Sequence, residues 1–203
     1  MEKKESIEKF WDWWQRHRTE FDALVTPESP FWDRALRQLQ RLDGRLWFEL
    51  SEPGNEDREF VITAEGHQDA FPLVGEIVEF SPKISGWRFI PLKPPMGFDF
   101  TTRYEGILFK PREMGFIPLK GRRGSNAVSL RIAIPNLGVA SERQAYNAVA
   151  VILDTGLGER SAALDIQYFE IATPSERQLP EGYRELRKLP AYLKRRKKRS
   201  KRG

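Results

Sequence analysis

The chain has 203 residues, with 34 lysines and arginines against 29 aspartates and glutamates, two histidines and no cysteine. The missing thiols exclude disulfide staples, thiolate metal sites and cysteine nucleophiles, so stability must come from packing; 39% hydrophobic residues, 12% of the chain aromatic, suffice for one domain or two small ones. Lys194 to Gly203 carries eight of the cations and no acid, which leaves 26 bases against 29 acids and a net charge of −3 in residues 1 to 193, so the basic balance belongs to an appendage.

Between Ile7 and Val25, the residues Ile7, Phe10, Trp11, Trp14, Phe21, Leu24 and Val25 recur at intervals of three and four, which predicts an amphipathic helix. Thr26 and Pro27 then read as the cap and first position of a second helix, carried on by Phe31, Trp32, Ala35, Leu36, Leu39 and Leu42 until Asp43-Gly44. From Leu46 the period becomes two: strands over 46–50 and 60–64 are expected around the turn-rich Glu52-Pro53-Gly54-Asn55. A helix through Phe71, Leu73, Val74, Ile77 and Val78 should end before Pro82, and a strand should follow over 87–90.

Adjacent prolines and a glycine in Lys93 to Phe100 interrupt regular structure and mark a half-way connection. Strands are expected beyond it over 104–109, 115–119 and 127–134. Ser141 with Gln144 predicts a capping box opening a helix through Leu153, and a last strand runs over 165–171. Both halves thus place strands, one helix and a returning strand in the same order. The expected fold is α+β, a largely antiparallel sheet covered by helices, with two ferredoxin-like halves as one arrangement of that order. The expected organisation is an N-terminal helix over 1–26 packing on the body, an α+β domain over 27–193 with halves 27–93 and 103–172, a capping segment through Leu186, Leu189, Tyr192 and Leu193, and a disordered basic tail over 194–203.

Several segments carry a resemblance: Phe60-Val61-Ile62-Thr63-Ala64-Glu65-Gly66, Phe71-Pro72-Leu73-Val74, Gly86-Trp87-Arg88-Phe89 through Lys93-Pro94, and Leu153-Asp154-Thr155-Gly156-Leu157-Gly158-Glu159. They are similar to an uncharacterised bacterial α+β family over roughly residues 30 to 193. The resemblance implies a domain of unknown function, an interaction or regulatory module, and it transfers no catalytic residue.

The residues offer little chemistry. His17 and His67 have no companion at metal-ligand spacing, and Ser125 and Ser161 lie outside any nucleophile-elbow context, so neither a metal, a cofactor nor a catalytic set is expected. Asp154, Glu159 and Asp165 around Gly156-Leu157-Gly158 are the best carboxylates for a hydrolase, although helix termination by the glycines accounts for the same pattern. Gly121 to Asn126, with Arg122 and Arg123, resembles a phosphate-friendly loop but lacks P-loop spacing and reads as a hairpin turn.

Two tryptophans fall off the apolar faces: Trp13 on the first helix, and Trp47 opposite Leu46 and Phe48. They are the candidate partner-binding residues. Lys194, Arg195, Arg196, Lys197, Lys198, Arg199, Lys201 and Arg202 are the candidate nucleic-acid-binding residues, since clustered cations release counterions from phosphates without implying sequence specificity. The leading expectation is a non-enzymatic protein-interaction or regulatory module, followed by an RNA- or ribosome-associated factor using the tail. With neither a signal-like apolar stretch in MEKKESIEKF nor an apolar run of about 18 residues, a cytoplasmic protein without a membrane span is expected.

Overall fold

The computed structural model describes residues 2–54, 56–120, 127–135, 137–138, 140–174 and 178–200. It is α+β and consists of two compact units, Met1–Lys93 and Pro94–Gly203.

In the first unit, α1 (Glu2–Arg16) and α2 (Arg18–Ala23) replace the single expected helix. His17 leaves helical geometry at φ −111° and ψ 21°, and beyond this break Phe21 stacks on Trp14 with centroids 4.6 Å apart. The third helix, α3 (Pro30–Gln40), is capped by Ser29, whose Oγ accepts from the Phe31 amide at 3.3 Å. The expected start at Thr26-Pro27 is therefore corrected by one turn. A helix begun at Pro27 would carry Pro30 at its fourth position, where a donor is needed and the ring meets the carbonyl of the preceding turn.

Strands β1 (Trp47–Leu50) and β2 (Arg58–Thr63) pair antiparallel, Trp47 opposite Thr63 and Leu50 opposite Phe60. Helix α4 (Phe71–Glu79) leads to β3 (Trp87–Pro91), which pairs parallel to β2. The sheet face bearing Phe48, Phe60 and Phe89 receives aromatic rings from the helices: Trp32 lies 4.5 Å from Phe48, Trp11 4.6 Å from Phe89, and Trp14 6.0 Å from Phe60. Trp11 also donates its indole N–H to the Ile77 carbonyl at 2.8 Å, tying α1 to α4. Such large rings combine wide apolar burial with edge-to-face attraction, which is how so small a unit obtains its core.

A charge cluster pins the turn between α3 and β1. Asp43 accepts from Arg45 Nε at 2.9 Å, from Nη2 at 2.7 Å and from the Arg45 amide at 3.0 Å, and Arg45 also binds Asp69. Hydrogen bonding from Arg45 lowers the Asp43 carboxyl to about 2. A depressed folded-state pKa contributes stability that is present above the unfolded aspartate value and lost as pH falls from about 4 through about 2. Discounted for the exposure of the pair, the contribution is about 1 kcal/mol. In acid titrations of stability, Asp43→Asn is expected to lower unfolding free energy at pH 7 by that amount, and the difference from the parent should vanish near pH 2. A constant offset across that window would contradict the assignment.

The second unit opens with β4 (Thr102–Tyr104) and β5 (Ile107–Phe109), a hairpin where one strand over 104–109 was expected. Glu105 and Gly106, at φ 46° and 82°, supply the two positive-φ positions that a tight hairpin turn demands. Next come β6 (Gly115–Pro118) and β7 (Val128–Ala133), antiparallel to each other. The Ser141–Gln144 capping box opens α5 (Glu142–Leu157), followed by α6 (Glu159–Asp165) and by β8 (Ile166–Ala172), parallel to β7. The short β9 (Arg184–Glu185) joins the far edge of β6 and gives the order β8-β7-β6-β9.

Each unit thus contains an antiparallel hairpin whose second strand, after a helical crossover, is flanked by a parallel strand. The returning strands pair parallel and make both main sheets mixed, while the other pairings among the described residues are antiparallel, in keeping with the largely antiparallel α+β expectation; these pairings do not establish a ferredoxin-like half in either unit. The expected loop at Gly121 to Asn126, including Arg122, Arg123 and Ser125, lies outside the described residues. Among the described residues no helix is long and apolar enough to cross a membrane.

Candidate nucleic-acid interface

The last element is α7 (Leu189–Ser200), and it corrects the expectation of a disordered tail from Lys194 onward. Leu189 and Leu193, one turn apart, are buried in the same core as Phe116, Leu130, Val149 and Ile152. The Tyr192 ring lies 5.6 Å from Phe116, and upstream the Leu186 amide donates to the Met114 carbonyl at 2.9 Å. Lysine and arginine are good helix formers and complement the negative end of the helix dipole, so the cation run extends a helix that its leucines have docked. Lys201 and Arg202 lie outside the described residues.

Docking sorts the cations. Lys197 points toward the body, where its Nζ lies 2.6 Å from Asp165, a carboxylate only 6% exposed that also accepts from Ser161 Oγ at 2.5 Å. Arg196 is half-buried. Lys194, Arg195, Lys198 and Arg199 are exposed, and none has a carboxylate partner among the described residues. At 100° and 1.5 Å per residue these four cover an arc of about 140° opposite the leucines, in two rows each spaced about 6 Å along the axis.

At the base of the helix, Arg184 sits 5.5 Å over the Tyr192 ring, while Glu185 accepts from Arg187 at 2.7 Å and lies 3.4 Å from Lys188. The Arg187 guanidinium holds the Glu185 carboxyl below its ordinary range, so the basic character is partly neutralised there and strongest toward the helix end. Neither Arg184 nor the Lys197–Asp165 pair stands out in the sequence. The only cue was the Leu189/Leu193 spacing, submerged in a charge run.

Of the two candidate aromatics, the structure exposes one. Trp13 is 9% exposed, stacked 4.4 Å from His17 and 5.9 Å from Phe31, with Arg34 5.7 Å above its ring. Its place off the first helix's stripe is explained by α3, which gives α1 a second packing face, and as a buried ring it offers no partner surface. Trp47, on β1 at an edge of its sheet, is 46% exposed.

The carboxylate set does not form a cleft. Glu159 is buried and engaged, Asp154 is half-buried and engaged, and Asp165 is taken up by Ser161 and Lys197. A depression of about 510 Å³ in this unit has an apolar floor of Phe109, Met114 and Ile134 and one ion pair, Lys110–Glu113 at 3.2 Å, with none of the three acids among its lining residues. Among the described residues no group of three or more histidines or carboxylates could hold a metal ion. Comparison with protein-family models, curated proteins and solved structures found no significant match.

Proposed function

We propose that this protein is a non-enzymatic interaction module that engages the phosphate backbone of a nucleic acid, RNA foremost, through α7. The observation that carries the reading is the docked helix with Lys194, Arg195, Lys198 and Arg199 on one exposed face, free of carboxylate partners among the described residues. A fixed cationic face spends less conformational entropy on each phosphate contact than a loose tail would. Contacts of this kind give affinity and counterion release without base readout.

The test is fluorescence anisotropy of a labelled RNA with the full chain and with the variant K194Q/R195Q/K198Q/R199Q. At moderate salt the variant should bind at least about tenfold more weakly, with polyglutamate peptide a poor competitor. Equal binding by both proteins would remove the reading, and displacement of RNA by polyglutamate at matched charge concentration would point to an acidic protein surface instead.

A protein partner is the second reading, favoured by exposed Trp47 on edge strand β1. Trp47→Lys should then leave RNA affinity unchanged and abolish association made through the sheet, read by sedimentation of the full chain over a concentration series.

A further inference from the structure

The first unit holds a second basic feature, and it is concave. A cleft of about 310 Å³ between α1 and α3 is lined by Lys9, Arg16 and Arg41, with Gln38 beside them and Phe10 and Trp13 behind; among the described residues no acid lines it. That volume is at the small end of ligand pockets and suits an oligophosphate or a mononucleotide.

The three cations differ in how they are held. Lys9 has an acid partner, Glu5, one turn earlier at 2.7 Å. Arg16 Nε donates to the Asp12 carbonyl at 3.1 Å, and Arg41 Nη1 donates to Gln38 Oε1 at 3.0 Å. Each of these bonds uses one donor of a guanidinium that has five, and neither arginine has a carboxylate partner among the described residues. Two guanidinium forks, Arg16 at the end of α1 and Arg41 at the end of α3, line one opening with the Lys9 ammonium about two turns before Arg16, and paired forks of this kind are suited to phosphate oxygens.

The cleft wall is stiff. Trp13 is clamped by His17, Phe31 and Phe21, and Arg34 Nη2 lies 2.7 Å from His17 Nε2 while His17 Nδ1 lies 2.8 Å from the Trp13 carbonyl. With Nδ1 facing a carbonyl, the ring's proton sits on Nδ1, so Nε2 accepts from Arg34. That bond holds Arg34 over the indole, adding a fourth cation next to the cleft. Trp13 is thus a wall that keeps α1 and α3 at their spacing, and its rings are occupied by protein neighbours.

We infer that the α1–α3 cleft is a phosphate-binding site, with Arg16 and Arg41 as the paired contacts and Lys9 as the third, for an oligophosphate group presented by a free nucleotide or by the 5′ end of an RNA. It is a site of the first unit and does not depend on the α7 reading.

The experiment is isothermal titration of the full chain with pyrophosphate, with ATP, and with a short RNA bearing either a 5′-triphosphate or a 5′-hydroxyl. Pyrophosphate should bind with unit stoichiometry, weakened at least about tenfold by R16Q/R41Q and also by Q38E, which places a negative charge in the cleft while keeping the acceptor for Arg41. The variant K194Q/R195Q/K198Q/R199Q should leave pyrophosphate affinity unchanged. This last arm separates a failure here from a failure of the α7 proposal. Tighter ATP binding identifies a free nucleotide as the source; a preference for triphosphorylated over hydroxyl-ended RNA, lost in R16Q/R41Q, identifies the RNA end. Absence of pyrophosphate binding, or binding that follows α7 and ignores R16Q/R41Q and Q38E, overturns the inference.

Discussion

Replacing Arg58 by alanine is expected to lower the unfolding free energy of the first unit by about 3 to 5 kcal/mol, because several buried carbonyls lose a charged donor at about 1 to 3 kcal/mol each. Arg58 is 7% exposed, and its guanidinium is spent on backbone oxygens: Nε donates to the Ser51 carbonyl at 3.0 Å, Nη1 to Phe21 at 2.6 Å and Asp22 at 3.3 Å, and Nη2 to Leu24. Three of those carbonyls lie at the end of α2, where helix geometry leaves acceptors short of amides, although Phe21 also accepts from the Leu24 amide at 3.1 Å. Burial pushes the arginine below its ordinary value, with the Asp22 charge opposing, and the Trp87 ring lies 5.3 Å away. Alanine would take the charged donor away from all four carbonyls and open a cavity beside Trp87. All six tryptophans lie between residues 11 and 87, so tryptophan emission during urea unfolding follows this unit. Arg58→Lys should recover only part of the loss, because one ammonium cannot span four acceptors. A loss below about 1 kcal/mol for Arg58→Ala would mean that water satisfies the α2 carbonyls.

The second large effect is expected at Gly156, and its sign opposes intuition. Alanine normally stabilises a helix relative to glycine, by up to about 1 kcal/mol. In α5, a Cβ at position 156 would overlap the Phe98 ring, with Cζ at 2.5 Å and Cδ1 at 2.7 Å. Phe98 cannot simply retreat: it is buried in the core, and the preceding chain is hydrogen-bonded to α5 through Met96 N to the Thr155 carbonyl at 3.0 Å and Gly97 N to the Gly156 carbonyl at 3.1 Å. Gly156→Ala should therefore destabilise by about 2 kcal/mol, and Gly156→Val by more. In a double-mutant cycle, Phe98→Leu should cost less in the Gly156→Ala background than alone. Thermal unfolding followed by far-UV circular dichroism, with hydrogen exchange of α5 amides, reads both. Stabilisation by Gly156→Ala would show that the close approach is relaxed in solution.

These positions show what kind of information the sequence carries. Periodicity located α4, α5 and the main strands, because an amphipathic stripe is local. Chain direction was not legible: β3 reads as a strand from Trp87-Arg88-Phe89-Ile90, but whether it pairs parallel or antiparallel to β2 depends on where α4 carries the chain. The sequence reading places the start of α3 at Thr26-Pro27, whereas the next such pair, Ser29-Pro30, opens the helix. The hairpin turn at Glu105-Gly106 was hidden because a glutamate at positive φ is tolerated only when both strands enforce it.

The site was legible in its charges and not in its form. Eight cations in the last ten residues are conspicuous in the sequence and carry the proposed phosphate contacts, yet composition alone could not distinguish a loose tail from α7. Two leucines one turn apart and a buried aspartate some thirty positions upstream make that difference, and only the fold brings Asp165 to Lys197. The α1–α3 cleft was invisible for the same reason: Arg16 and Arg41 are ordinary surface residues until two helices bring them to one cavity.

The most direct measurement of the central claim is the salt dependence of duplex RNA binding by the full chain, compared with K194Q/R195Q/K198Q/R199Q. By the B-DNA rule, each phosphate neutralised contributes about 0.9 to the slope of log K against log salt, so four cations acting together should make the parent line steeper by about three to four. Parallel lines, with the variant binding as tightly as the parent at every salt concentration, would show that α7 does not face the nucleic acid.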